Sequence, residues 1–357
     1  MRHKHSEYMH WAKTQSRAPY NLATSGVGHC PMSEVPFDFT KFEINGDNLY
    51  GYSPLKRAIA EKYGADPECV VESAGTSMAN HLAMAAILER GDEVLIEHPA
   101  YGPLLDAAMY LEAEVRRFPR TPESGFAVDP EAVRAAMTPR TRLIVITNLH
   151  NPSSALTPEP VLREIGEMAA SVGAHVLVDE VYLDVVYEDR PRSAFFLGPQ
   201  FLVTSSLTKV YGLSGLRCGW IVANPDLARR MQRLNNIYAA TPAHPTELLS
   251  VAAFQHLDKI RDRARRVLET DRAVLRAFLE GQTAVRAVWN PWGTTAFLKL
   301  EGGCVDAFLG RLREQWQTSA VPGKFFETPN HFRVGMGVNS EIFAEGLRRA
   351  GEALAAV

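Results

Sequence analysis

The sequence predicts an α/β protein: a large domain with a mostly parallel sheet between helices, and a smaller α+β domain. Three observations carry that expectation. From about residue 54 to residue 222, short apolar runs alternate with helical patterns. The runs are continuous in Val, Leu and Ile rather than alternating with polar residues, as in strands covered on both faces. After residue 225 the alternation gives way to a long amphipathic stretch and weaker strands, and 357 residues exceed the usual size of one domain. The boundaries expected are 45–235 for the large domain, and 1–44 with 236–357 for the small domain with its N-terminal arm.

The elements follow in order. Residues 54–63 read as a helix, 68–72 as a short buried strand, and 77–90 as an Ala/Met/Leu-rich helix stopped by Gly91. Strands follow at 93–97 and, more weakly, at 115–118. A helix at 130–137 precedes the strand 142–147, and a helix at 158–172, ended by Gly173, precedes the strand 174–180. Strands at 201–205 and 218–223 complete the run. Residues 251–280 read as one amphipathic helical stretch, 296–300 and 332–336 as strands, and 342–355 as a final helix. The first 40 or so residues hold no strong strand, so they are expected to pack on the second domain or on a partner subunit.

Composition narrows the function. Hydrophobic residues are 46% and charged residues 22%, which excludes disorder, collagen and coiled coil for the bulk of the chain. The net charge of −3 comes with no basic block, so nucleic-acid binding has no electrostatic support. No apolar run approaches the roughly 20 residues that span a bilayer. The N-terminus has no apolar core and does not read as a secretory signal. Cys30, Cys69, Cys218 and Cys304 lie far apart without metal spacing, as scattered reduced thiols of a cytoplasmic protein do. His29, His81, His150 and His175 share no metal spacing either, so no metal site is expected. Gly26-Val27-Gly28 is a fragment of a dinucleotide loop without its third glycine or a preceding strand, which discards a Rossmann dehydrogenase.

Ligands of a parallel sheet sit at the carboxyl ends of its strands. Ser73-Ala74-Gly75-Thr76-Ser77 follows the first strand and opens a helix. Asn148-Leu149-His150-Asn151-Pro152 follows the strand 142–147. Asp179 ends the strand 174–180, with Tyr182 after it. Ser206-Leu207-Thr208-Lys209 follows the strand 201–205, and Gly215-Leu216-Arg217 comes next. One sheet edge thus offers a phosphate cradle, an amide, a carboxylate, a phenol, a lysine and an arginine, which matches the needs of pyridoxal phosphate.

In the segments SAGTSMAN, HPAYGP, TNLHNPS, VLVDEVY, SSLTKVYGLSGLRCGW and HFRVG, the sequence resembles the fold type I pyridoxal-phosphate enzymes of the class I/II aminotransferase branch. The segments stand in the family's order and cover most of the chain from about Gly51. The resemblance implies an aspartate-aminotransferase-like architecture and the cofactor pyridoxal 5'-phosphate. It implies that Lys209 forms the Schiff base and then shuttles protons. Asp179 would pair with the pyridine nitrogen and keep the ring an electron sink. Asn151 and Tyr182 would bond the cofactor's phenolic oxygen, although the family's Asn-Pro-x-Gly turn reads Asn151-Pro152-Ser153-Ser154 here. Gly75, Thr76 and Ser77 would take the phosphate on a helix N-terminus, with Ser206 and Arg217 completing the cup. Tyr101 would stack on the ring. Tyr50 would reach the phosphate of a neighbouring subunit. Arg333 would grip the substrate α-carboxylate bidentately, with Gly28 near the same group. Glu180, next to Asp179, should point to the opposite face.

Taken with that resemblance, the function expected is transfer of an amino group between an L-amino acid and a 2-oxo acid, in a homodimer with a shared active site. The alternative on the same scaffold is β-elimination of the C–S lyase type. A clamped carboxylate argues against decarboxylation. A cofactor-sensing regulator would carry a DNA-binding module, and the roughly 45 residues ahead of the large domain show no helix-turn-helix pattern.

Overall fold

The structure is a computed structural model and describes residues 3–239 and 241–356. The N-terminal helix α1 (Glu7–Thr14) starts at Ser6, whose hydroxyl accepts from the Met9 N–H. The two-residue strand β1 (Tyr20–Asn21) follows. Helix α2 (Ser53–Tyr63) stops at Gly64, a left-handed C-cap with φ 69°. Then the expected alternation sets in: β2 (Val70–Ala74), α3 (Thr76–Ile87), β3 (Glu93–His98), α4 (Gly102–Tyr110), β4 (Glu114–Pro119), α5 (Pro130–Ala136), β5 (Thr141–Thr147), α6 (Glu159–Ser171), β6 (His175–Asp179), β7 (Phe201–Ser206) and β8 (Cys218–Val222).

These strands form a seven-stranded sheet of order β2-β8-β7-β6-β5-β3-β4. Pairing is parallel from β4 through β7, whereas β8 is antiparallel to both β2 and β7. The apolar residues of the central strands alternate between two cores, Ile144 and Val178 on one face and Val145 and Leu177 on the other. Covering both faces is what continuous apolar runs demand. Because β8 runs backwards, it begins at the edge where the parallel strands end. The connection from Ser206 to Cys218 therefore leaves and returns at one place, bringing Lys209 and Arg217 to the same edge.

Four helices went unread in the sequence: α1, α4, α7 (Pro225–Tyr238) and α10 (Val305–Trp316). Helix α7 carries a legible start, Asn224 accepting from the Leu227 N–H ahead of Pro225 at the first turn. The stretch expected as one helix over 251–280 is two, α8 (His244–Phe254) and α9 (Leu257–Glu280), broken at Gln255–His256. The break lets α8 lie on α2 while α9 packs on the last helix, α11 (Ser340–Ala355). The periodicity continues through the break and hides it.

The second sheet has the order β12-β13-β10-β9, built from β9 (Val285–Ala287), β10 (Thr295–Leu300), β12 (Val321–Pro322) and β13 (His331–Gly335). Its pairs are antiparallel. A separate short strand, β11 (Thr318–Ser319), pairs in parallel with β1.

The N-terminal segment links the two sheets. Leu22 accepts from the Gly335 N–H at 2.7 Å, and the Val27 N–H donates to the Lys209 carbonyl at 2.7 Å. The N-terminus likewise touches both regions: Tyr8 and Trp11 of α1 pack on Phe325, and His3, ahead of the helix, bonds Asp106 of α4.

Candidate active site

A small cavity of about 40 Å³ opens at the edge where the parallel strands end. Of the residues expected there, Thr76, Ser77, Tyr101, Asn151, Asp179, Tyr182 and Lys209 line it. Asn80, Thr147 and Val181, not foreseen, join them.

Asp179 ends β6, and its side chain lines the cavity. Asn80 donates to one carboxylate oxygen at 2.8 Å, and the Val181 N–H donates to the other at 3.1 Å. Asn80 is itself fixed by Thr204, which donates to its amide oxygen at 2.6 Å. Burial pushes the Asp179 carboxyl up to about 6, and the two donors pull it back. Asn80 stands one turn beyond Thr76 on α3, so helical spacing could have placed it. Glu180 points the other way, as expected: it accepts from Ser193 and from the Ala194 N–H, and burial pushes it up to about 7.

Lys209 follows β7. Burial pushes its amine down to about 8, the Arg333 cation adds to that, and Asp179 opposes it. Its Nζ donates to the Ser25 hydroxyl at 2.8 Å. Burial pushes up the phenol of Tyr182, which lines the same cavity. Ser25 comes from the N-terminal segment, and no motif in the sequence marks it.

The helix N-terminus beside the cavity has the form of an anion cradle. Gly75 sits at φ +83°, and a Cβ there would stand 2.4 Å from Arg217 Nη2. A Cβ on Gly219 would lie 2.4 Å from the Gly75 carbonyl carbon. Arg217 donates to the Ala74 carbonyl at 2.9 Å, and Ser206, buried at the end of β7, accepts from the Thr208 N–H. The Thr76 hydroxyl is buried with no partner among the described residues. A buried donor at a helix N-terminus, with an arginine pressed on a glycine that cannot carry a side chain, suits a phosphate. The residues present fit pyridoxal phosphate.

Arg333 lies on β13 and is fully buried. It donates to Asn151 Oδ1 at 2.8 Å, to the Tyr8 hydroxyl at 3.0 Å and to the Ala23 carbonyl at 3.2 Å. Its Nε has no partner among the described residues. Tyr8, unread in the sequence, thus sits on the arginine. Tyr101 packs edge-on against Tyr8 at 5.4 Å and donates to the Met9 sulfur at 3.7 Å.

Two expected residues, Gly28 and Tyr50, belong neither to the cavity nor to the cradle and arginine beside it. Gly28 packs backbone to backbone on the small sheet, its N–H donating to the Gly337 carbonyl at 2.7 Å, and a Cβ would meet Val338. The glycine against the site is Gly26, whose Cβ would stand 3.0 Å from the Lys209 carbonyl. Tyr50 is 53% exposed, in company with exposed Ile44 and Leu49. His150 braces the Asn151 turn, bonding Ser153 and the Pro99 carbonyl, and burial holds it well below its usual range. Among the described residues no cluster of His, Cys, Asp and Glu could hold a metal ion, and no helix is long and apolar enough to cross a membrane.

Comparison with known proteins agrees with this geometry. Residues 43–349 match the family model for aminotransferase class I and II. Capreomycidine synthase of Streptomyces vinaceus is 30% identical over 308 residues, covering 85% of this chain and 79% of that protein. A probable aspartate/prephenate aminotransferase of Thermus aquaticus is 26% identical over 319 residues, 85% of this chain and 82% of that protein. The crystal structure of a PLP-dependent aminotransferase from Streptococcus suis superposes with a TM-score of 0.94 at 25% identity, covering 100% of this chain and 99% of that one. The architecture is that of aspartate aminotransferase, as a Thermus thermophilus enzyme of that name with TM-score 0.87 also shows. The chain belongs to the class I and II aminotransferases, and is a pyridoxal-phosphate-dependent transferase of amino groups.

Proposed function

We propose that this enzyme moves the amino group of an L-amino acid to a 2-oxo acid through Lys209, in a homodimer with a shared active site. One observation carries the residue assignment: an amine pushed down to about 8 and a buried carboxylate line the same cavity. The relatives' names favour amino transfer over β-elimination.

Pyridoxal phosphate, when bound, supplies a carbonyl carbon that bonds amines and a ring that accepts the electron pair of the α-carbon. Gly75, Thr76, Ser77, Ser206 and Arg217 would hold its phosphate. Asp179 would take the ring nitrogen, Asn151 and Tyr182 the ring oxygen, and Tyr101 the ring face. Lys209 is the attachment residue. With its amine near 8, a useful fraction is neutral at physiological pH, so it can attack carbon and later carry a proton. Arg333 binds the α-carboxylate, its unpaired Nε and two terminal nitrogens supplying the fork. Gly28 would lie near the same carboxylate, on a segment anchored by its N–H to the Gly337 carbonyl.

The chain divides at 45–235 and at 1–44 with 236–357, the two sheets being the centres of the two parts. Exposed Ile44, Leu49, Tyr50, Ile237 and Tyr238 suit a subunit interface, from which Tyr50 would reach the partner's phosphate. Free cysteines suit a cytoplasmic setting, and the aminotransferase relatives suit a role in amino-acid metabolism.

The test is the absorption spectrum of the purified protein with pyridoxal phosphate. A visible band is expected, lost in Lys209→Ala, bleached by an amino donor and restored by a 2-oxo acid. Steady ammonia release from a β-substituted donor without acceptor would replace this reading with elimination. No band at all would remove the assignment of Lys209.

A further inference from the structure

We propose that Ser25 is a positioning residue for amino transfer: its hydroxyl seats the free amine of Lys209 against the phenol of Tyr182. The inference rests on Lys209 being the reacting lysine. Lys209 Nζ donates to Ser25 Oγ at 2.8 Å, and Lys209 and Tyr182 line the same cavity. The segment that carries Ser25 is held on both sides. The Ser25 carbonyl accepts from Thr294 at 2.8 Å, and the Val27 N–H donates to the Lys209 carbonyl at 2.7 Å. Gly26 packs so closely on Lys209 that a Cβ would stand 3.0 Å from its carbonyl oxygen.

The chemistry of the lysine calls for such a partner. Each time a donor amine takes its place on carbon, the Lys209 amine is released on a flexible four-carbon arm. It must then stay near the α-carbon and be able to take up a proton. A carboxylate partner would hold it in place but keep it protonated. A neutral hydroxyl holds it without adding charge. One N–H of the neutral amine goes to Ser25, which leaves the lone pair for the cavity. Tyr182 lines the same cavity as the held amine. No proton is lost or gained in this contact; it fixes a direction only.

The experiment compares Ser25→Ala and Ser25→Thr with the parent enzyme, both loaded with cofactor and cofactor-free. In single-turnover reactions at saturating donor, Ser25→Ala is expected to bleach the visible band about tenfold more slowly. Its half-saturating donor concentration should stay within about twofold of the parent's, and Ser25→Thr should regain most of the rate. In the cofactor-free protein, the pH dependence of Lys209 acylation is read by peptide mass spectrometry. In Ser25→Ala it should move about 0.7 of a pH unit lower, because the ammonium form loses an acceptor. An unchanged acylation profile overturns the inference, and so does a Ser25→Thr enzyme as slow as Ser25→Ala. If either variant fails to take up cofactor, the acylation profile decides alone. A Lys209→Ala protein that keeps the visible band removes the lysine assignment instead, so the two failures are told apart.

Discussion

At the scale of residues, the site is a set of groups whose ionisation has been moved by burial. Lys209 has the clearest consequence. Its folded pKa of about 8 lies below the ordinary 10.5, so the protonated form is penalised in the fold. The stability it contributes is reduced below pH 8 and recovers as pH rises from 8 towards 10.5. Only the neutral amine attacks carbon, so the rate of cofactor capture should rise about tenfold per pH unit below 8 and level off above it. Stopped-flow absorbance against pH checks this, and a flat profile would contradict it. The two arginines should separate by function. Arg217→Ala is expected to weaken cofactor retention at least tenfold, by loss of charge-assisted hydrogen bonds, whereas Arg333→Ala should raise the half-saturating donor concentration and leave retention near the parent's. Equilibrium dialysis with cofactor distinguishes them, and the reverse ranking would exchange their roles. Lys209, Asp179 and Asn151 were legible because chemistry-bearing residues after buried strands have one place to go. Ser25 and Tyr8 were not, because they reach the site from a segment without strand or helix signal, through contacts that only the tertiary fold creates.

At the scale of elements, the ends of β3, β4 and β5 are tied by a buried ion pair. Arg120 Nη1 stands 2.6 Å from Glu97 Oε2, and both side chains are fully buried. Glu97 also accepts from the Thr147 N–H at 2.9 Å and its hydroxyl at 2.5 Å, while Arg120 donates to the Phe126 carbonyl at 2.7 Å. Removing one charge strands the other. Arg120→Met should therefore cost roughly 3–5 kcal/mol in urea unfolding, and Arg120→Met with Glu97→Gln distinctly less than the sum. Additive losses would mean that the pair is not coupled. This tie holds Thr147, and Thr147 accepts from the Asn151 N–H at 3.1 Å, so a stability feature reaches the site through one residue. The parallel run itself followed from the alternation of elements. The reversed β8 did not, since an apolar strand reads the same in either direction. Helices α8 and α9 merged in the sequence for a similar reason: their apolar stripes stay in phase across Gln255–His256.

At the scale of the whole molecule, exposed apolar side chains call for a partner. Ile44, Leu49 and Tyr50 lie on one segment, Ile237 and Tyr238 on another, and Asn48 of the first donates to Glu247, which follows the second. A monomer rarely keeps such residues in water. Sedimentation should give twice the chain mass of 39.5 kDa, and Leu49→Asp with Ile237→Asp should shift it to one chain and lower cofactor affinity. A parent protein that sediments as one chain would end the dimer proposal. The covering of Arg333 has a further consequence for the order of events. Its terminal nitrogens are engaged by Asn151, Tyr8 and Ala23, and α1, which carries Tyr8, packs on Phe325 and on α4. A carboxylate must trade places with the Tyr8 hydroxyl before the arginine can grip it. Arrival is then timed by the protein and not by the visitor: chemically different amino acids should share one upper limit on the speed of entry, set by how often α1 lifts.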